Sequence, residues 1–119
     1  LVDLALSGDL RALERAATLG LADSGDAALT ASRLASRVAL MMELRQSGGE
    51  PAQFLRLPYS VKKAVLAQAN AWAPEALAQR LPALLNLLVT TRRSPGLASS
   101  ATFRALTSFA IAARRSARE

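Results

Sequence analysis

Cysteine and histidine are both absent from the 119 residues. Their absence excludes disulfides, thiolate nucleophiles, imidazole general bases and the common zinc-ligand sets. A chain without thiols also fits a cytoplasmic location. Aromatic residues make up only 4% although hydrophobic residues make up 51%, so a core has to be assembled from Leu, Ala and Val. No uninterrupted apolar run approaches the ~18 residues that a membrane span requires. A basic start followed by an apolar stretch and a small-residue cleavage site is missing too. The nine carboxylates are scattered singly, so no acid/base pair is evident. Gly48-Gly49 lacks the Lys-Ser/Thr that completes a phosphate-binding loop. Neither a cofactor nor a metal is expected.

What remains is rich in alanine and leucine, the best helix formers, and poor in β-branched residues. The expected class is all-α: a single bundle of five to six helices, one domain over residues 1–119. The chain opens at Leu1 on what reads as the interior of a helix, without an initiator Met, and is therefore expected to be a segment of a longer protein.

The most informative stretch runs from Arg56 to Arg93. Pro58 and Pro74 each suit a helix start, where the missing N–H has no partner to lose. Leu77, Leu81, Leu84, Leu85 and Leu88 recur at helical spacing and predict one buried stripe. Pro82 falls inside that pattern and predicts a kink, because it removes a hydrogen bond and crowds the carbonyl of Ala78. The preceding helix is expected to bury Val61, Val65, Ala69 and Trp72 and to leave Lys62 and Lys63 outward.

The flanking segments read in the same terms. Gly8 stops a first helix and Asp9 caps a second, with Leu10, Leu13 and Ala17 inward. Asp26 is expected to cap a long helix from Ala27 to about Gln46, apolar along Leu34, Val38, Met41 and either Leu44 or the stem of Arg45, and widened by Leu29 and Met42. Ser47-Gly48-Gly49 ends it, and Glu50-Pro51 opens a short helix carrying Phe54 and Leu55. Ser94-Pro95-Gly96 is a break. A last helix begins at Ser99 or Ser100 with Phe103, Leu106, Phe109, Ala110 and Ala113 inward, and RRSARE is expected to fray.

Charge divides the chain. Up to Leu55 there are five basic and seven acidic residues; from Arg56 onward there are ten basic and two acidic, Glu75 and Glu119. The second half is thus suited to a polyanion or an acidic protein surface. Tyr59, the single tyrosine, lies beside Arg56, Lys62 and Lys63. A ring among cations can stack on a base while the cations meet phosphates; equally, it can cover a helix end as a half-buried side chain. Ser60 and Lys63 match the spacing of serine acyl enzymes, but without the accompanying motifs or an oxyanion loop the serine reads as part of a helix start.

The order of these segments resembles the C-terminal domain of the delta subunit of the bacterial DNA polymerase III clamp loader. LVDLALSGDLRALERAATL is similar to that family's first helix pair, ALTASRLASRVALMMELRQSG to its long helix, and ATFRALTSFAIAAR to its closing helix. The resemblance is strongest over LPYSVKKAVLAQANAWAPEALAQRLPALLNLL, with a Pro-aromatic start, a basic pair and a tight corner. It implies a non-catalytic collar domain that oligomerises with the motor and delta-prime subunits. Two AAA+-like domains would precede it, and the sliding clamp would be gripped by that missing N-terminal region. It also implies that Tyr59 lies near primed DNA in the assembled complex, with Arg56, Lys62 and Lys63 as phosphate partners. Arg33, Arg37, Arg92, Arg93 and Arg104 would form the rim of the subunit interfaces. Two other readings stand beside this one: a free-standing basic helical adaptor for an acidic protein partner, and an autonomous nucleic-acid-binding bundle.

Overall fold

A computed structural model describes residues 1–46 and 50–118. The expected stop at Ser47-Gly48-Gly49 and the terminal Glu119 lie outside the described residues. The class is all-α, with no strand among the described residues. The elements are α1 (Val2–Ser7), α2 (Leu10–Gly20), α3 (Ser24–Gln46), α4 (Ala52–Leu55), α5 (Tyr59–Ala71), α6 (Pro74–Gln79), α7 (Leu81–Arg93), a 3₁₀ turn (Pro95–Leu97) and α8 (Ala98–Arg118). These eight α-helices among the described residues exceed the expected five to six because α1, α4 and α6 are short elements counted separately and one expected helix is divided.

That division corrects the reading of Pro82. The chain does not kink at the proline: α6 ends before Arg80, and α7 starts again at Leu81 with Pro82 in its first turn. Pro82 therefore removes no hydrogen bond that a helix would have made, and the cost of an interior proline is avoided. Pro74 occupies the first turn of α6 as expected, whereas Pro58 precedes α5 as its N-cap.

Helix starts and stops follow local chemistry. Gly8 closes α1 in the left-handed conformation at φ 82°, and Asp9 caps α2 by accepting the Ala12 N–H at 3.1 Å. The cap of α3 is Asp23 and not Asp26. Its carboxylate accepts the Asp26 N–H at 2.8 Å, which moves the helix start back to Ser24. Ser60 makes no capping hydrogen bond at the start of α5. α8 continues through Arg118, across most of the stretch expected to fray.

The core lies where α3 and α8 cross the shorter helices. α8 packs on α1, α3 and α7, and α3 also packs on α5 and α7. Leu34, Val38 and Met41 of α3 meet Leu13, Ala69, Trp72, Leu77, Leu84, Leu106 and Phe109 in one apolar cluster. Leu10, Leu44, Met42, Phe103 and Ala113 pack at its margin, and Val61 is half-buried. Leu29, expected to widen the α3 face, is exposed.

On α7 the inward face differs from the expected stripe. Leu84, Leu87 and Thr91 are buried, Leu88 is half-buried, and Leu81 and Leu85 point outward with Val89. The helix is apolar over so much of its circumference that spacing alone permits more than one face. Contact with α3 and α8 selects Leu84, Leu87 and Thr91.

Candidate functional site

Three surfaces gather the residues with something to offer a partner. The first is the outer side of α7, where Leu81, Leu85 and Val89 succeed one another at one-turn intervals. Leu85 is 64% exposed, and the other two exceed a third. Arg92 and Arg93 continue this helix to its C-terminus, both exposed. Their charges there also complement the negative end of the helix dipole.

The second surface surrounds the start of α5. Tyr59 is 80% exposed, which excludes the half-buried, helix-covering placement. Tyr59 and Lys63 fall one turn apart on the exposed side of α5, whereas Lys62, expected outward, is half-buried at the edge of the face formed by Val65, Gln68 and Ala69. Arg56, exposed, follows α4 immediately. Lys62 is partly held down, with its ammonium 6.0 Å from the centroid of the Phe54 ring. Phe54 itself is buried, while Leu55 is exposed.

The third surface is a groove of about 710 Å³ between α6 and α8. Arg80, Arg104 and Arg115 stand along it. Arg80 bridges the two helices: its guanidinium donates to the Ser108 hydroxyl at 2.6 Å and lies 5.4 Å from the Phe109 ring centroid. Partial burial lowers the Arg80 pKa from its ordinary value, and the neighbouring Arg115 charge lowers it further. The Thr107 hydroxyl beside this groove is buried without a hydrogen-bond partner among the described residues.

Arg37 is placed differently from the rim position expected of it. It turns inward to a three-membered polar network joining α1, α3 and α5. The guanidinium donates to Asp3 Oδ1 at 2.6 Å and to Gln68 Oε1 at 2.8 Å, and the Gln68 amide donates to Asp3 at 2.7 Å. Arg33 and Arg104 remain exposed. Sequence spacing put Arg33 and Arg37 one turn apart on α3 but could not supply Asp3 and Gln68, which are 34 and 31 positions away from Arg37. Gln68 lies within a run otherwise read for its apolar residues, so nothing local signals its role.

The network carries a pH prediction. Partial burial raises the Asp3 pKa, but the hydrogen bonds from Gln68 and Arg37, with the charge of Arg37, outweigh it and leave the value lowered. A carboxyl whose folded pKa lies below its unfolded value stabilises fully above the unfolded value, near pH 3.9. That contribution is lost as the pH falls through the folded pKa. It is small, since Asp3 is 63% exposed and water screens the pair. In urea titrations, the wild-type midpoint is expected to fall more steeply than that of Asp3→Asn below about pH 4. Parallel curves would show that the network does not couple to folding.

Among the described residues, no group of three or more Asp, Glu, His or Cys side chains could hold a metal ion. No helix among them is long and apolar enough to cross a membrane. The fold and these surfaces together define an all-α bundle with an outward apolar helix face and separate cationic faces. No family model, curated protein or solved structure matches the chain.

Proposed function

We propose that this bundle is a non-catalytic assembly module, and that the assembly it serves is a clamp loader of DNA replication, in which it forms the collar domain of a delta-type subunit. The observation that carries the assembly reading is the outward seam of Leu81, Leu85 and Val89 on α7. A helix already satisfied on its inner side has no need of three outward aliphatic residues at one-turn spacing. A neighbouring helix laid along them removes that surface from water, at about 25 cal/mol per Å² buried. Arg92 and Arg93 at the end of the seam, with Arg33 and Arg104 elsewhere on the surface, supply the charged rim that fixes orientation.

The specific assembly rests on the ordered sequence resemblance. In that setting the domain joins motor and delta-prime subunits so that the complex can load a sliding clamp onto primed DNA. Tyr59 would then stack against DNA, with Arg56, Lys62 and Lys63 at phosphates; the exposure of the Tyr59 ring supports that role.

Leu85→Asp tests the assembly reading. The position is exposed, so the isolated domain is expected to keep its wild-type circular dichroism spectrum and melting temperature. Association with the other loader subunits, followed by size-exclusion chromatography, is expected to weaken by at least about tenfold, because an unpaired carboxylate would be desolvated at the contact. Full retention of assembly would remove α7 from the interface. Assembly that survives deletion of the whole domain would end the collar reading.

A further inference from the structure

The groove between α6 and α8 combines two features that do not involve the α7 seam; of its arginines, only Arg104 is shared with the interface rim proposed above. The first is concentrated positive charge. Arg80, Arg104 and Arg115 line the groove, and no carboxylate does so among the described residues. Arg80 and Arg115 lie close enough for one cation to disfavour the other. A fold indifferent to this surface would gain by placing an acid there, since like charges held together repel. The second is an apolar floor. Phe103 and Ile111 lie on the groove, and Ile111 is 42% exposed. The Arg80 guanidinium is fixed between Ser108 and the Phe109 ring, so its remaining donors are held in place before any ligand arrives.

We propose that this groove binds a short acidic, amphipathic peptide segment of a partner protein. A large apolar side chain of the segment sits on Phe103 and Ile111, and flanking carboxylates meet Arg80, Arg104 and Arg115. The observation behind it is three arginines and no carboxylate among the described lining residues, beside an apolar floor within one groove, a charge that an acidic segment complements. A carboxylate suits the planar guanidinium, which can donate two parallel hydrogen bonds to it. The volume of about 710 Å³ accommodates one large side chain with its neighbouring backbone. A nucleic-acid strand would satisfy the arginines through its phosphates but leave Ile111 against sugar and solvent. The peptide uses both parts of the groove.

The test is to pan a random peptide library on the full chain and measure the affinity of selected peptides by fluorescence anisotropy. Selected sequences are expected to place Asp or Glu beside Leu, Phe or Trp. Each should lose about tenfold in affinity against Arg115→Gln, the loss of one charge-assisted contact, and a similar factor against Ile111→Ser. Arg115 is exposed, so Arg115→Gln should retain the wild-type thermal melt; Ile111, 42% exposed, loses some apolar burial as Ser, and its affinity is read at a temperature well below its own melt. Arg80→Gln should lose more, and its interpretation is checked against its own melt because Arg80 also bridges two helices. Failure to select any peptide, enrichment of sequences without acids, or unchanged affinity for Arg115→Gln and Ile111→Ser would each overturn the proposal. Tighter binding of a single-stranded oligonucleotide than of any selected peptide, lost in Arg115→Gln, would assign the groove to nucleic acid instead. None of these outcomes depends on whether Leu85→Asp disrupts loader assembly.

Discussion

Trp72→Ala is expected to destabilise the bundle by about 3–5 kcal/mol, the range for deleting a large buried aromatic side chain. Trp72 is 1% exposed and packs at a tilt against Phe109, with ring centroids 5.6 Å apart. It also does something that a purely apolar residue could not. Its indole N–H donates to the Leu6 carbonyl at 3.1 Å. Leu6 lies in the last turn of α1, where carbonyls have no partner within their own helix. Trp72 therefore fastens the end of α1 to the end of α5, while α8 packs on α1. The alanine variant loses ring burial and leaves a buried carbonyl unpaired. Trp72→Phe, which keeps most of the ring, should lose about 1–3 kcal/mol through the orphaned carbonyl. Because Trp72 is the chain's single tryptophan, unfolding in urea has to be followed by circular dichroism. A domain of ordinary stability, about 5–15 kcal/mol, would be left marginal by the alanine change. A loss near 1 kcal/mol for Trp72→Ala would show that α1 contributes little to cooperative folding.

The second large effect is expected at the other attachment of α1. Gly8→Ala should destabilise by roughly 2 kcal/mol, because a left-handed conformation costs a residue with a Cβ about 1–2 kcal/mol and the site is also crowded. At φ 82° the Gly8 N–H reaches the Ala5 carbonyl at 3.2 Å and the Asp9 N–H reaches Leu4 at 3.0 Å, which closes the end of α1. An added Cβ would lie 2.9 Å from Arg114 Cγ and 3.3 Å from the Ala110 carbonyl oxygen. The arginine stem can swing away. The carbonyl belongs to the α8 backbone and yields only if α1 and α8 separate slightly. Gly96→Ala is the control, since nothing lies within 4 Å of its added Cβ; its stability should change by less than about 0.5 kcal/mol. Equal effects at the two glycines in denaturant titrations would refute the backbone argument.

The Gly8 turn is written locally, and so is much else in this molecule, whereas the contacts of Trp72 are not. The scarcity of β-branched residues and the abundance of Ala and Leu set the all-α class before any packing is considered. Gly8 and Asp9 mark the junction between α1 and α2 with one residue that tolerates positive φ and one whose carboxylate satisfies a free N–H. Pro74 marks the start of α6 for a reason equally confined to its own neighbours. Leu34, Val38 and Met41 were legible as the buried line of α3 because they recur at helical spacing, although Leu29, Leu40 and Met42 offer competing apolar positions on the same helix.

The interaction surfaces were less legible, for two different reasons. On α7, apolar residues occur at Leu81, Leu84, Leu85, Leu87, Leu88 and Val89, so helical spacing alone is compatible with more than one inward face. For Arg37 and Arg80 the deciding partners are distant in the chain. Arg37 is drawn in by Asp3 and Gln68, and Arg80 by Ser108 and Phe109. The sequence by itself determined the helical class, several helix ends and most of the core, because each depends on residues within a turn or two. Only the tertiary structure decided which leucines stay outside and which arginines turn inward. Burial and charge pairing are properties of neighbours in space, and here those neighbours lie on other helices.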